Sequence, residues 1–196
     1  MSLIDDALKA ELAKLYAAPD RHYHNLAHIE ALLALANRHR AEIADPDAVA
    51  AAIWFHDAIY DSRAKDNEAR SAALATDRLA GRAGPDRLAR IVAMIEATAT
   101  PFVPDLADAA ARHDAALLLD MDLSILGAAP PAFDAYETAI RREYGWVPDD
   151  PWRKGRASVL QGFLARPHTF HTETFRSELE SQARANIARS LAALTA

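Results

Sequence analysis

The amino-acid sequence predicts an all-α protein, and three observations support that prediction. Hydrophobic residues make up 51% of the 196 residues, with alanine and leucine dominant and β-branched residues sparse, a composition that favours helices over strands. Apolar residues recur at helical spacing in successive segments. Prolines, glycines and acidic residues separate these segments where helices would start and end. We therefore expect residues 1–196 to form one compact helical domain.

The predicted elements follow in order along the chain. Residues 3–17 form a first amphipathic helix, in which leucine and isoleucine recur at helical spacing. Asn25 suits the N-cap of a second helix that runs to about Ile43, and Asp45 or Asp47 caps a third. The third helix is apolar almost all round and is therefore expected to be buried. Further helical patterns begin at Asn67, Pro85 and Asp105, and near Pro131, Pro151 and Glu173.

Composition excludes several classes of function. There are no cysteines, which excludes disulfides, thiolate nucleophiles and cysteine-based zinc sites. The formal net charge is -6 and no long basic run is present, so neither nucleic acid nor an anionic membrane is expected as a partner. The segment "MSLIDDALKAEL" carries acids where a signal peptide has basic residues, and no apolar run approaches membrane-spanning length. We expect a cytoplasmic protein, and its alanine-rich helices are compatible with a homodimer.

Ionisable residues interrupt two of the most apolar stretches. The predicted third helix carries His56 and Asp57, and the segment "AALLLDMDLSIL" carries Asp120 and Asp122. A buried carboxylate is costly unless it is paired, hydrogen-bonded, protonated or bound to a cation. A divalent ion accepts imidazole nitrogen and carboxylate oxygen at one point. For each residue alone a capping or hydrogen-bonding role is the alternative, but the two stretches together with the N-terminal histidines favour a metal site.

The segment "DRHYHNLAH" contains three histidines. His24 and His28 are four residues apart and project from the same side if one helix includes both, whereas His22 is expected to face elsewhere, at the surface or in a loop. His39 lies in a charged stretch and is expected at the surface. A second His-Asp pair, His113–Asp114, precedes an apolar run rather than lying within it, so the first pair has the stronger claim to a site.

Several of these residues lie in short motifs that follow one another along the chain: "YHNLAHI", "WFHDAIYD", "DNEARSA" and "DMDLSILG". A C-terminal segment that ends in "LESQARANI" comes after them. The order His28, His56–Asp57, Asp122 resembles the metal-dependent phosphohydrolases of the HD-domain superfamily. "YHNLAH" is similar to the YHNxxH segment of the cyclic nucleotide phosphodiesterases of that superfamily. More closely, residues 21 to about 190 resemble a bacterial group of predicted HD-superfamily hydrolases.

The resemblance implies a helical bundle of the HD-domain type and roles for particular residues. The implied metal ligands are His28, His56, Asp57 and Asp122. His24 matches the phosphodiesterase histidine that acts as general acid. Relatives often carry a further histidine where this chain has Pro101, which favours one divalent ion over two. A mixed His/Asp ligand set suits Mn, Co, Fe, Ni or Zn better than Mg.

Other polar residues are candidates for supporting the metal site or for binding the substrate. Glu68 in "DNEARSA" could orient a water or hold a ligand histidine; alternatively it merely begins a helix, where an acid suits the dipole. Phosphate substrates need positive charge beyond the metal, and the candidates are Arg63, Lys65, Lys154 and Arg156. For each of these cations the alternative is a solvated surface charge.

The expected function is metal-dependent hydrolysis of a phosphate ester or anhydride of a small molecule, with a nucleotide as one candidate. Metal-activated water would attack while His24 acts as general acid. One alternative is a non-catalytic HD-fold module that binds metal or nucleotide and acts through a protein partner. A purely structural metal, with a closed coordination shell, is the other.

Overall fold

A computed structural model describes residues 3–195 and confirms the all-α class. Within these residues it contains nine α-helices, one 3₁₀ helix and no strand. The helices are α1 (Asp6–Leu15), α2 (Leu26–Arg38), α3 (Pro46–Phe55), α4 (Asn67–Leu79), α5 (Pro85–Ala97), α6 (Ala109–Leu123), the 3₁₀ helix (Ser124–Gly127), α7 (Pro130–Glu143), α8 (Asp149–Ala165) and α9 (Glu173–Thr195). No single described helix is long and apolar enough to cross a membrane, although the bent pair 109–127 and 130–143 meets the criteria of length and composition jointly.

The predicted helices are present, but several end earlier than expected, α2 and α3 among them. The Asn25 side chain caps α2 by accepting the Ala27 N–H, as predicted, yet α2 ends at Arg38. The buried His39 follows it, with its Nδ1 3.0 Å from a carboxylate oxygen of Glu42, so the prediction that His39 is exposed was wrong.

The third helix ends just before the first His-Asp pair. The Asp45 side chain caps α3 by accepting the Ala48 N–H, one of the two predicted caps. The last residue of α3 is Phe55, and His56 is its C-cap. The apolar pattern had predicted that His56 and Asp57 lie within the helix. They lie instead just after its last residue.

The chain divides into two compact units, one up to Met121 and one from Asp122 onward. In the first unit α3 is central and packs against α1, α2, α4 and α5. Six of its ten residues are buried, which confirms the predicted burial and explains why its apolar residues extend all round the helix. The expectation of a single domain over residues 1–196 stays a prediction.

In the second unit, two of the motifs noted in the sequence pack on each other. The 3₁₀ helix packs against α7 and α9, and α8 also packs against α9. The buried Asn186 of α9 donates hydrogen bonds to the carbonyls of Leu126 and Ala128, at 2.9 and 2.8 Å. A Cβ added at Gly127 would lie 2.6 Å from Leu179 Cβ and 2.9 Å from its carbonyl oxygen. "SILG" and "LESQARANI" therefore contain residues that serve helix packing.

Replacing Gly127 by alanine is expected to lower the free energy of unfolding by about 1–3 kcal/mol, because the new methyl group meets the backbone of a packed helix. Gly155→Ala in α8 is the matched control, since nothing lies within 4 Å of the added Cβ. The control is expected to be neutral or stabilising by about 0.5–1 kcal/mol. Urea unfolding measures both variants, and equal stabilities would contradict the close approach to Leu179.

Candidate metal centre

The candidate site is built at the C-terminal end of α3. The last carbonyls of a helix have no partner in the following turn and need donors from elsewhere. The ring Nδ1 of His56 lies 2.9 Å from the Ile53 carbonyl oxygen. The Tyr16 hydroxyl donates to the Trp54 carbonyl at 2.9 Å. The first of these contacts orients His56, because its ring is held against the helix that it follows.

The Ile53 contact also orients the His56 ring. A carbonyl oxygen only accepts, so Nδ1 carries the proton that donates to Ile53, and Nε2 is the ring atom that faces the cluster. That Nε2 lies 3.0 Å from Asp57 Oδ2 and 3.3 Å from His28 Nε2, and the latter two atoms are 3.7 Å apart. Ligands bound about 2.1 Å from one ion lie about 3.0–3.4 Å from each other. The three atoms are therefore spaced much like the ligands of a single cation.

The cluster combines burial with negative charge. His28 and His56 are 6% and 2% exposed, and the Asp57 side chain is 14% exposed. Burial alone would raise the pKa of the Asp57 carboxyl, but the charge on the imidazoles of His56, His24 and His28 and a hydrogen bond from His56 outweigh burial and hold that pKa well below its usual range. Asp57 is thus a carboxylate at neutral pH, held beside the histidines of the cluster.

Asp122 lies in the last turn of α6 and is half-buried. The division between the two units falls between Met121 and Asp122, inside this helix, so the role of Asp122 as a metal ligand stays a prediction. Asp120, two residues earlier, is fully buried.

His24 lies near His28, but a shared helix is not what positions it there. Helix α2 begins at Leu26, so His24 precedes the helix, and the condition that one helix includes both His24 and His28 is not met. The two ring centroids are nevertheless 6.2 Å apart. The His24 ring is stacked on Tyr60, at 4.4 Å between centroids, and Tyr23 contacts both histidines. Aromatic packing therefore places His24, whereas His22 is exposed as expected.

The "DNEARSA" segment holds the loop that follows His56 and Asp57. Ser71 Oγ accepts the Ile59 N–H at 3.0 Å. The Asn67 side chain accepts the Asp61 N–H at 3.1 Å and donates to the Asp61 carbonyl at 2.9 Å. Glu68 itself is half-buried in the first turn of α4. Its proposed work on a water or a ligand histidine stays a prediction.

The four candidate phosphate-binding cations differ in their surroundings. Arg63 and Lys65 are exposed in the loop between α3 and α4, and Lys154 is exposed on α8. The Arg156 side chain is only 10% exposed and forms an ion pair with Glu137. Its charge is already compensated, which leaves less of it for a substrate. A role in substrate binding stays a prediction for all four.

Arg21 is the main residue at the site that sequence reasoning missed. It is 8% exposed. Its guanidinium donates to the carbonyls of His24 at 3.0 Å, Asp57 at 2.7 Å and Ala58 at 2.9 Å. Its place just before "HYHN" was the available signal, but arginine is ordinarily a surface residue, and no local pattern indicates its burial.

The second His-Asp pair does different work. His113 is exposed, whereas Asp114 is 3% exposed. The Asp114 carboxylate accepts the N–H groups of Ala44 and Asp45, both at 2.8 Å. These two donors satisfy a buried charge without a cation, so the same dipeptide has a structural solution here.

Comparison with known protein families, with curated proteins and with solved structures finds no match for this chain. The case for the site therefore depends on its geometry. Two imidazole nitrogens and the Asp57 carboxylate oxygen lie close enough to hold one divalent cation.

Replacing Asp114 by alanine is expected to lower the free energy of unfolding by about 1–3 kcal/mol, because two N–H groups lose their acceptor. His113→Ala changes the exposed neighbour and is expected to shift stability by less than about 0.5 kcal/mol. Urea unfolding compares the two. An Asp114→Ala chain as stable as the wild type would contradict the structural role.

Proposed function

We propose that this chain is a metal-dependent phosphohydrolase that acts on a small phosphorylated molecule. One observation carries the proposal: His28 Nε2, His56 Nε2 and Asp57 Oδ2 lie within 3.7 Å of one another while the Nδ1 proton of His56 is committed to Ile53. Such a cluster is electrostatically unfavourable without a proton or a cation at its centre. The resemblance to the HD-domain superfamily supports phosphate hydrolysis as the reaction class.

The donor set fits a transition metal. Imidazole nitrogen with carboxylate oxygen suits Mn, Fe, Co, Ni or Zn, whereas Mg prefers oxygen ligands alone. His28, His56, Asp57 and Asp122 would hold the ion, and four ligands leave positions open when the coordination number is five or six. When bound, the ion would supply Lewis-acid polarisation of a phosphoryl oxygen and lower the pKa of a water.

The other side chains have roles that follow from their positions. Asp57 supplies the negative charge that attracts a cation. His24 carries a ring that can donate a proton near neutral pH, and it lies beside His28 without being needed as a ligand. We assign to it the protonation of the leaving oxygen. Arg63 and Lys65, in the loop that follows Asp57, are the nearest cations in sequence for binding the phosphate.

Metal content is the first test of this proposal. Elemental mass spectrometry on purified wild type is expected to find about one transition-metal ion per chain. His56→Ala and Asp122→Asn are expected to lose the ion, since each removes a ligand atom. His113→Ala is the matched control, because it removes the exposed histidine of the other His-Asp pair.

The same samples are then assayed for turnover of phosphomonoesters, cyclic and linear phosphodiesters, and nucleoside di- and triphosphates. Hydrolysis by the wild type and by His113→Ala, lost together with the metal in the other two variants, supports the enzyme. Metal binding without turnover of any substrate would favour the non-catalytic module. A wild type without metal, and variants that are merely less stable, would contradict the proposal.

His24→Gln tests the proton donor separately from the metal. It is expected to lower kcat by about 10²–10⁴-fold and to leave the metal content unchanged, because the ligands stay in place. His22→Gln, at an exposed position two residues earlier, is expected to behave like the wild type. Steady-state kinetics on the best substrate decides, and an unchanged kcat in His24→Gln would exclude general-acid catalysis by this ring.

A further inference from the structure

We infer that Arg21 is a positioning residue that holds the metal ligand Asp57 and the proton donor His24 in one fixed arrangement. The inference rests on the proposed function, because it assigns Arg21 a part in the site and not only in the stability of the fold. Three carbonyl contacts, two aromatic rings and the burial of the guanidinium carry it.

The three carbonyls belong to two segments that are distant in the chain. Nη1 of Arg21 donates to the carbonyls of His24 and Asp57, at 3.0 and 2.7 Å, and Nη2 donates to Ala58 at 2.9 Å. A planar guanidinium offers five N–H donors in a rigid fork, so one side chain can satisfy several acceptors in a set geometry. Its position therefore fixes the backbone of His24 relative to that of Asp57.

Two tyrosines define where the guanidinium lies. Its central carbon is 5.0 Å from the ring centroid of Tyr16 and 5.4 Å from that of Tyr60. Cation–π attraction offsets part of the cost of burying the charge. Tyr16 also donates to the Trp54 carbonyl in the last turn of α3, and Tyr60 is stacked on His24. The rings that hold Arg21 are thus in contact with both parts of the site.

The distinction between positioning and stability can be tested because a second arginine, Arg141, also binds loop carbonyls beside an aromatic ring, although its side chain is 31% exposed and pairs with Asp149. Arg141 donates to the carbonyls of Tyr144 and Val147, at 2.8 and 3.1 Å, and its central carbon is 5.3 Å from the Trp152 ring centroid. The loop that it holds contains none of the proposed site residues. Arg141→Lys is therefore a matched control for Arg21→Lys, since each keeps the charge and removes the fork.

The experiment measures Co²⁺ binding, which does not require turnover. Co²⁺ is titrated into metal-free wild type, Arg21→Lys and Arg141→Lys, and the visible d–d absorption reports affinity and ligand geometry. Arg21→Lys is expected to weaken Co²⁺ affinity or lower kcat by about 10–100-fold, with an altered absorption spectrum, because Asp57 and His24 lose their common support. Arg141→Lys is expected to keep the wild-type affinity and spectrum. Thermal unfolding is measured for both variants. If both lose stability but only Arg21→Lys changes Co²⁺ binding, the change in binding is due to the geometry of the site and not to lower stability.

The outcomes separate this inference from the proposed function. A wild type that binds no Co²⁺ overturns both. A wild type that binds Co²⁺, with Arg21→Lys indistinguishable from Arg141→Lys in affinity, spectrum and kcat, overturns the role of Arg21 alone and leaves the metal site in place. If Arg21→Lys does not fold, Arg21→Gln replaces it, because the glutamine amide keeps two N–H donors on one nitrogen.

Discussion

The carbonyl groups at the C-terminal end of α3 are the constraint on which the arrangement of the site depends. A helix end leaves these groups without intrahelical partners, and in a buried place other parts of the chain must supply the donors. Tyr16, at the end of α1, donates to the Trp54 carbonyl in the last turn of α3, whereas Arg21 and Ser71 donate to the Ala58 and Ile59 carbonyls in the loop that follows. Satisfying the backbone of the helix end and of this loop thus brings three separate parts of the chain to the place where His56 and Asp57 lie.

The two His-Asp pairs show how the same residues lead to different outcomes. Asp114 is buried against two backbone N–H groups, and its charge is satisfied by them. Asp57 instead faces imidazoles: His56 Nε2 lies 3.0 Å from its carboxylate, while His56 Nδ1 contacts the Ile53 carbonyl. The first arrangement is complete within the protein. The second becomes favourable when a cation lies among the ligand atoms, which is why we assign chemistry to one pair and structure to the other.

The motifs that suggested a family contain residues of both kinds. His28, His56 and Asp57 form the cluster, whereas Asn67 secures the loop after it and Asn186 secures the turn after the 3₁₀ helix. A motif that suggests a family can therefore contain residues needed for packing as well as residues needed for chemistry. Only the contacts that each side chain makes in the structure distinguish the packing residues from the chemical ones.

The sequence by itself determined the helices, the caps at Asn25 and Asp45 and the burial of α3, because periodicity and capping depend on neighbours in the chain. It also selected the His56–Asp57 pair, because ionisable groups in apolar surroundings need partners, whereas His28 was selected by the histidine cluster and the family resemblance. Only the tertiary structure decided where α3 ends, why His24 lies near His28 without sharing its helix, and that an arginine is buried between them and Asp57. These features depend on hydrogen bonds and ring contacts between residues far apart in the chain, and no local pattern encodes such contacts.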